Sequence, residues 1–460
     1  MALIIKNGLL VTENGLLNKD MLIDNEKILM IEDFILPKPE DEVIDAESKI
    51  VMPGVIDAHV HYSMKSSTGR TIDNYESGTI SAAFGGVTSF VDYASPIEGK
   101  SLLESLKERE GEAKHHSYLD YSFHMEITGE FNQDFNELLD LREHGISSLK
   151  IYTTYGDTAL QENKIPFLLK KAKEVNLLVT VHAEDNEIVS NIKEKFIKED
   201  KTSPSYHGES RPSEAEATAI EKMIEMAKEA EAPIYIVHVS SREGAENIRN
   251  ARASGQRVYG ETCPHYLLLT DACYKGEEAQ KYIMTPPLRK KQDQEKLWQS
   301  LEDGTLQCIT TDHCTFHIDQ KLSSKSCFET IPGIGGSETL LPLLYSNGVC
   351  SGKLSLEKFT QLVSTNPAKM FGLYPQKGTL KVGSDGDIVI FDPTKEVILK
   401  STALHSAAEY TVYENFEVKG YPIMTISRGV VICKDDKLMV SKPIGKFIKA
   451  EKSKYDEFMD

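Results

Sequence analysis

The sequence predicts an α/β protein, a (β/α)₈ TIM barrel with a small β-sandwich domain formed from both termini. The middle of the chain contains eight apolar runs that each stop at a polar residue, and amphipathic helical stretches separate them. Both ends of the chain are instead rich in short strands and poor in helices. Eight buried parallel strands that alternate with helices are typical of a closed barrel, and the strand-rich ends predict a second, smaller domain.

The eight predicted barrel strands are GVIDAH, VTSFVDY, LDYSFHMEI, SSLKIY, LLVTVH, IYIVHV, RVYGETC and LQCITTD. The intervening stretches IPFLLKKAKEV and SEAEATAIEKMIEMAKEA repeat apolar residues at helical spacing. An open, doubly wound sheet is the structural alternative, but no GxGxxG motif follows the first strand to support it. We therefore expect the barrel to occupy residues 53–374.

The two ends of the chain share one pattern. Residues 1–52 contain short strands separated by Asn-Gly and charged turns, and residues 375–443 repeat this organisation. We therefore predict that these two segments assemble into a single β-sandwich domain. Residues 444–460 are expected to form a C-terminal extension, the last ten of which, EKSKYDEFMD, are expected to be solvated.

Composition narrows the class of protein. The chain has 460 residues, which exceeds the roughly 250–300 residues at which a single core stops growing. Its formal charge of -19 argues against nucleic acid or an anionic membrane as a main partner, but it does not identify the small-molecule substrate, because the site could still be locally positive. The start lacks the flanks of a signal peptide, and no apolar run reaches the ~18 residues of a membrane span. The seven cysteines form no CxxC pair, which predicts a reducing cytoplasm.

Polar side chains close several of the predicted strands. His59 and His61 are two residues apart in DAHVH and face the same side. His182 closes LLVTVH, His238 closes IYIVH, and Asp312 closes LQCITTD. A lone histidine at such a place is more often a hydrogen-bonded core residue than a ligand. Four histidines and a carboxylate at the end where barrels carry their active sites predict a site for Zn²⁺ or a related divalent ion.

Lys150 ends the strand SSLKIY, where its ammonium would repel metal ions. A lysine that reaches the surface is the commoner explanation for such a residue. A lysine with a lowered pKa can instead take up CO₂ and become a negatively charged carbamate. Since no acidic residue closes that strand, we hypothesise that a carboxylated Lys150 bridges two ions.

The chain resembles the dihydropyrimidinase–hydantoinase branch of the amidohydrolase superfamily over nearly its full length. The matching stretches are GVIDAHVH, SLKIYTTY, VHAED, HGESRPSEAEA, IVHVSS, VYGETCPHYLLL, MTPPLR, TTDHCTF and GTLKVGSDGDIVIFDP. The resemblance implies two divalent ions. His59, His61 and Asp312 would bind one ion, and His182 and His238 would bind the other. The resemblance also implies N6-carboxylysine at Lys150 as the bridge, and a homo-oligomer, either a tetramer or a dimer.

The chemistry expected of such a site is hydrolysis of a cyclic amide. Two ions that share a water lower its pKa, so that hydroxide is available near neutral pH. Asp312 can accept the proton of that water and later deliver it to the departing amide nitrogen. By resemblance, the hydroxyl of Tyr155 holds the developing oxyanion. From the sequence alone, a tyrosine packed at the barrel rim explains this residue equally well.

Two further segments are expected to recognise the ring. Thr285 in MTPPLR stands where the family usually has serine, and Gly333 in IPGIGGSE stands where it commonly has asparagine. The second loop is closer to those of allantoinases and dihydroorotases. His313 and Cys314, which directly follow Asp312, are interpreted as residues of the wall of the site.

The resemblance also bears on the substrate. Dihydroorotases usually carry an arginine two residues after the HxH pair to clamp the substrate carboxylate, and this chain has Ser63 there. A dihydropyrimidine or a 5-substituted hydantoin is therefore expected first, allantoin second and dihydroorotate last. A non-catalytic assembly protein of the same branch is a further alternative, but it should lack several ligands, and all six ligand positions are filled here.

Overall fold

The computed structural model describes residues 2–65, 69–129 and 137–459 in full, together with the backbone of residue 66. The N-terminal segment forms seven strands: β1 Leu3–Lys6, β2 Leu9–Thr12, β3 Gly15–Asn18, β4 Asp20–Asp24, β5 Lys27–Glu32, β6 Glu42–Asp45 and β7 Ile50–Pro53. Strands β5, β4, β1 and β6 hydrogen-bond in that order and form a four-stranded sheet.

The barrel begins immediately after β7. The next strands are β8 Val55–Val60, β9 Lys65–Ser66, β10 Gly69–Arg70, β11 Val87–Ala94, β12 Asp120–Glu126, β13 Ser148–Tyr152, β14 Leu178–His182, β15 Ile234–Ile236, β16 Val258–Thr262 and β17 Cys308–Ile309. β9 and β10 form a hairpin, and each of the other eight pairs in parallel with the next along the chain. A parallel bridge between Val60 and His313 closes the ring. All eight predicted barrel strands are therefore confirmed.

Helices surround this ring and connect its strands. They are α1 Tyr75–Phe84, α2 Leu102–Ala113, α3 Leu138–His144, α4 Ile165–Glu174, α5 Asn186–Lys198, α6 His207–Ser210, α7 Ser213–Glu229, α8 Arg242–Ala253, α9 Pro264–Leu268, α10 Lys291–Glu302, α11 Ile318–Leu322, α12 Leu340–Leu344, α13 Leu356–Thr360 and α14 Asn366–Met370. The two helical stretches predicted from apolar spacing correspond to α4 and α7. Within the described ranges, every helix is too short or too polar to traverse a bilayer.

Both termini contribute to the second domain. The C-terminal strands are β18 Ile388–Ile398, β19 Glu417–Ser427, β20 Val430–Lys434 and β21 Lys437–Leu438. They join β7, β2 and β3 in a seven-stranded sheet, in which β18 pairs antiparallel with β7. An apolar cluster contains residues from this sheet and from the four-stranded sheet, among them Ile5, Ile23, Val51 and Ile390. The predicted β-sandwich from both termini is thus confirmed, while its division at residues 52, 374 and 443 stays a prediction.

The expectation that residues 451–460 of the C-terminal extension are solvated is wrong for part of this tail, since Ser453 and Tyr455 are buried. Ile448 and Tyr455 are buried in an apolar cluster with the barrel residue Tyr259 and with Phe371, which follows α14. The tail therefore packs against the inner residues of the barrel. Its few apolar residues are separated by charged ones, so that no helix or strand period revealed this packing in the sequence.

Weakening the packing of the tail should lower the stability of the protein. The Tyr455 ring lies 5.7 Å from the Tyr259 ring, centroid to centroid. Because Tyr455→Ala leaves a cavity there, we expect the free energy of unfolding to fall by about 2 kcal/mol in denaturant titrations. The matched control is Asp456→Ala, since the side chain of Asp456 is 64% exposed and its removal should cost under about 0.5 kcal/mol. Equal stability of the two variants would contradict this packing role.

Candidate functional site

The predicted ligand residues lie together at the C-terminal ends of the barrel strands. Their side chains are buried or nearly so, and they belong to His59, His61, Lys150, His182, His238 and Asp312. The histidines and Asp312 fall into two groups, which are in contact because the rings of His59 and His238 have centroids 5.4 Å apart. The parallel pairing of the strands causes this convergence, since all strand ends meet at one mouth.

The first group consists of His59, His61 and Asp312. The Nε2 atoms of His59 and His61 lie 3.2 Å and 3.1 Å from Oδ1 of Asp312. One ligand atom from each residue lies within 4.8 Å of the others, a spacing that could hold a metal ion. On the far side of its ring, Nδ1 of His59 lies 2.5 Å from Oε1 of Glu261. A carboxylate at that position orients the imidazole and leaves Nε2 as the ligand atom.

The second group consists of His182 and His238. Nδ1 of His182 faces Nε2 of His238 at 2.9 Å, and Nε2 of His182 lies 2.8 Å from Oε2 of Glu184. Nε of Arg211 donates to Oε1 of Glu184 at 2.9 Å. Burial alone would raise the pKa of Glu184, but Arg211 holds it well below its ordinary value. Glu184 is therefore an acceptor that fixes the tautomer and orientation of His182.

The chemistry of this donor set suits divalent ions. Because Nε2–H of His182 donates its hydrogen bond to Glu184, Nδ1 of that ring presents a lone pair to the mouth of the barrel. Burial lowers the pKa of His238 well below its ordinary value, so that this ring is neutral as well. Neutral imidazole nitrogens combined with a carboxylate form the ligand set that Zn²⁺ and related ions prefer.

Lys150 is 1% exposed, which is unusual for a lysine. Its Nζ lies 5.2 Å and 5.0 Å from the ring centroids of Tyr93 and Tyr152. In the described part of the chain, no carboxylate lies within 4.0 Å of this nitrogen. Burial lowers the pKa of Lys150 to about 8, against the opposing effect of nearby carboxylates, of which Asp312 has the largest effect. The amine is thus buried at the site without an ion-pair partner.

Three site residues have left-handed backbone conformations. The φ angles are 41° for His238, 50° for Asp312 and 78° for Tyr155. Such conformations cost a non-glycine residue of order 1–3 kcal/mol, and they persist only where the surrounding structure imposes them. Here they follow the strand ends, where the chain turns the side chain towards the mouth of the barrel. Strain at these positions is typical of functional residues.

Tyr155, Thr285 and Gly333 surround the rim of the same mouth. The hydroxyl of Tyr155 donates to Oγ1 of Thr285 at 2.7 Å, and the Arg211 guanidinium lies 5.3 Å from the Tyr155 ring centroid. Gly333 has a φ of 135°, and a Cβ on it would lie 2.4 Å from the carbonyl oxygen of Cys314. The side-chain space of an asparagine at this position is therefore filled by Cys314, which explains why this loop departs from the common pattern.

The backbone of Gly333 is already engaged within the protein. Its N–H donates to the Ile283 carbonyl at 3.0 Å, and its carbonyl accepts from Nζ of Lys321 at 3.0 Å. A carbonyl oxygen has two lone pairs, so that one remains for a ligand. The role of Gly333 in binding the substrate stays a prediction. Its carbonyl oxygen is the atom that would accept the hydrogen bond from the substrate.

Sequence reasoning assigned no role to Glu184, Arg211 or Glu261, which orient the two groups of ligands. Glu261 is separated from His59 by 202 residues along the chain, and nothing in the spacing indicates that they meet. Glu261 lies inside β16 and Glu184 lies two residues after β14. A buried acidic residue in or next to an apolar strand is a signal that could have found both.

Comparisons with known proteins agree with this architecture. The model of the amidohydrolase family matches residues 50–432. A D-phenylhydantoinase of Escherichia coli O1:K1 / APEC is 39% identical over 453 residues, covering 98% of each chain. A D-hydantoinase of Ralstonia pickettii is 38% identical over 459 residues, covering 99% of this chain and 100% of that one. The crystal structure of dihydropyrimidinase from Brevibacillus agri NCHU1002 has a TM-score of 0.96 and 36% identity, covering 98% of this chain and 99% of that one.

Proposed function

The chain belongs to the amidohydrolase family, and from this premise we propose that it hydrolyses the ring of a dihydropyrimidine or of a 5-substituted hydantoin. The observation that carries the proposal is the convergence of two groups of ligand atoms at the mouth of the barrel. The names of the relatives, which are hydantoinases and a dihydropyrimidinase, support this class of substrate. A homo-oligomeric, cytoplasmic enzyme is part of the same proposal.

We propose that two divalent ions, Zn²⁺ in the first instance, are held by the two groups of ligands. When bound, such ions lower the pKa of water and polarise an amide carbonyl. The isolated amine of Lys150 supports carboxylation of that residue. Its nitrogen would form a bond to the carbon of CO₂ and release a proton, which leaves a carbamate with one negative charge. This anion would remove the repulsion between an ammonium group and the ions.

Asp312 is the proposed acid and base. Its Oδ1 accounts for both histidine contacts, and among the described residues Oδ2 has no hydrogen-bond partner. Burial would raise the pKa of Asp312, but the neighbouring histidines hold it well below its ordinary value. The carboxylate is thus ionised and able to accept a proton at Oδ2. The same oxygen can then donate that proton to the ring nitrogen as the amide bond breaks.

Tyr155 is proposed to stabilise the oxyanion that develops on the attacked carbonyl. Its hydroxyl now donates to Thr285, which keeps it directed across the mouth. A substrate carbonyl would replace Thr285 as the acceptor. The strained backbone of Tyr155 and the guanidinium of Arg211 beside its ring hold the hydroxyl near this position before substrate binds.

A substrate panel on metal-replete protein tests the proposed function. The panel compares dihydrouracil, hydantoin, allantoin and dihydroorotate by release of the ring-opened product. We expect dihydroorotate to be at least roughly 100-fold poorer in kcat/KM than the best neutral ring, because the arginines in the described part of the site are already paired and a carboxylated Lys150 would carry no positive charge. Arg211 is paired with Glu184, and Arg109 is paired with Asp92 at 2.9 Å and with Glu112 at 2.8 Å. Dihydroorotate as the best substrate, or no hydrolysis of any of the four compounds, would refute the proposal.

Lys321 connects the two segments that are expected to bind the ring. It is fully buried, and its Nζ donates to the carbonyls of Ile283, Ile331 and Gly333 at 2.8, 2.8 and 3.0 Å. Ile283 precedes Thr285 by two residues. The lysine therefore holds the Thr285 segment and the Gly333 loop in one arrangement.

Loss of this connection should weaken substrate binding. In Lys321→Met three buried carbonyls each lose one hydrogen bond, and we expect KM to rise roughly tenfold with a smaller change in kcat. Steady-state kinetics on the same substrates measure both constants. Lys325→Met is the matched control, because Lys325 is exposed and belongs to the same segment. An unchanged KM in a folded Lys321→Met protein would exclude the positioning role.

A further inference from the structure

A cavity of about 250 Å³ lies between the chain segments that follow β8, β11 and β12. We call it the β12 cavity; its lining includes His61, Met64, Tyr93, Ser95, Ile97 and Glu126. Because His61 belongs to the first group of ligands, a ring bound there has this cavity as its neighbour. Met64, Tyr93 and Ile97 give it apolar surface, so that it is able to receive a substituent of the ring.

The charged side chains of the β12 cavity are paired with one exception. Asp92 and Glu112 form ion pairs with Arg109, Glu112 also lies 3.4 Å from Lys65, and Glu108 pairs with Lys100. Glu126 differs, since no cationic side chain of the described residues lies within 4.0 Å of its carboxylate. It is therefore the acid among the described residues of this wall that has no ion pair, although the charge of Lys150 acts on it from a longer distance.

Glu126 is the last residue of β12 and is only 8% exposed. Its two partners are neutral hydroxyls: the Tyr152 hydroxyl donates to Oε1 at 2.6 Å, and the Ser95 hydroxyl donates to Oε2. A carboxylate has about four acceptor positions, so that Glu126 can accept further hydrogen bonds. Burying a carboxylate that has few hydrogen-bond donors is unfavourable in free energy, and N–H donors from a ligand would reduce this penalty.

We propose that the β12 cavity holds the substituent of the substrate ring and that Glu126 favours substituents with N–H groups, such as a ureido group. The inference rests on the proposed function and specifies its substrate class: it places allantoin, which is the 5-ureido hydantoin, ahead of 5-phenyl and 5-alkyl hydantoins and so reverses the order expected from the sequence. A ureido substituent donates to Glu126 without losing its contacts with the apolar wall. A phenyl or alkyl substituent displaces water from Glu126 and offers no donor in exchange.

The test compares two hydantoins, one with a 5-ureido and one with a 5-phenyl substituent, in the metal-replete wild type and in Glu126→Leu. The ratio of their kcat/KM values is independent of the fraction of active enzyme. We expect this ratio, ureido over phenyl, to fall roughly 10- to 100-fold in Glu126→Leu. The control Glu108→Gln removes an acid of the same wall that already has a cation, and it should leave the ratio unchanged. A ratio within twofold of wild type in Glu126→Leu, or an equal fall in the control, would overturn the inference.

A second readout separates this inference from the proposed function. The Kd of both hydantoins is measured by calorimetry in Asp312→Asn protein, with and without Glu126→Leu, so that no turnover is needed. Selective weakening of the ureido compound by Glu126→Leu supports the inference, even if the wild type hydrolyses neither compound. Unchanged relative affinities contradict it, even if both compounds are good substrates.

Discussion

Asp312→Asn should lose turnover by roughly 10³- to 10⁴-fold in kcat/KM while the chain keeps its fold. The replacement keeps the shape of the side chain but removes the carboxylate that is proposed to take up and return the proton. Asparagine is preferable to alanine, because it tolerates the left-handed backbone at φ 50° better. Asp312→Ala should be equally inactive, with an added cost in stability. The loss of kcat/KM is measured by kinetics on the best substrate of the panel. Circular dichroism and metal analysis of the same preparation check the fold and the metal content.

The control for this prediction is Asp303→Asn, which changes a carboxylate outside the site; within the described residues, its side chain accepts a hydrogen bond from the backbone N–H of Thr305. It should retain wild-type kinetics. Activity of Asp312→Asn within a few-fold of wild type, in protein of full metal content, would show that the proton is moved by another group.

Lys150→Ala should lose bound metal, and with it nearly all activity. The replacement removes the only nitrogen that can be carboxylated on this strand and leaves a small space beside both groups of ligands. Loss of one anionic ligand should weaken metal affinity by at least roughly 10- to 100-fold, the effect seen even for outer-shell partners. Because the space is open to small anions, added acetate or propionate should restore part of the metal content and part of the activity.

Lys150→Arg is the matched control. It keeps the positive charge but cannot take up CO₂, so that neither bicarbonate nor acetate should rescue it. Atomic emission analysis after dialysis gives the metal content of the wild type and of both variants. Full metal content in Lys150→Ala would exclude a bridging carbamate.

Much of the barrel was predictable because each strand is almost wholly buried and is rich in apolar residues up to the polar residue at its end. The parallel order then places His59, His182 and Asp312 at one mouth without further information. The sandwich was predictable for a related reason, since both termini carry short strands with an apolar face. These features depend on local composition and on the direction of strands.

Other parts of the site depend on contacts between distant residues and could not be predicted. The partner of His59 is 202 residues away, and the contact of Gly333 with Cys314 depends on a loop conformation. The carboxylate of Glu126 became a candidate only when the structure showed which acids on the same wall are paired. The buried tail was missed because its isolated apolar residues have no period.

The central claim is that this barrel holds a pair of metal ions at its mouth. The most direct measurement is the metal content of wild-type protein purified without chelators and incubated with bicarbonate and a divalent metal. We predict two ions per chain, both lost on dialysis against a strong chelator together with the ring-opening activity. A preparation with full activity that contains no more than one ion per chain would contradict the claim.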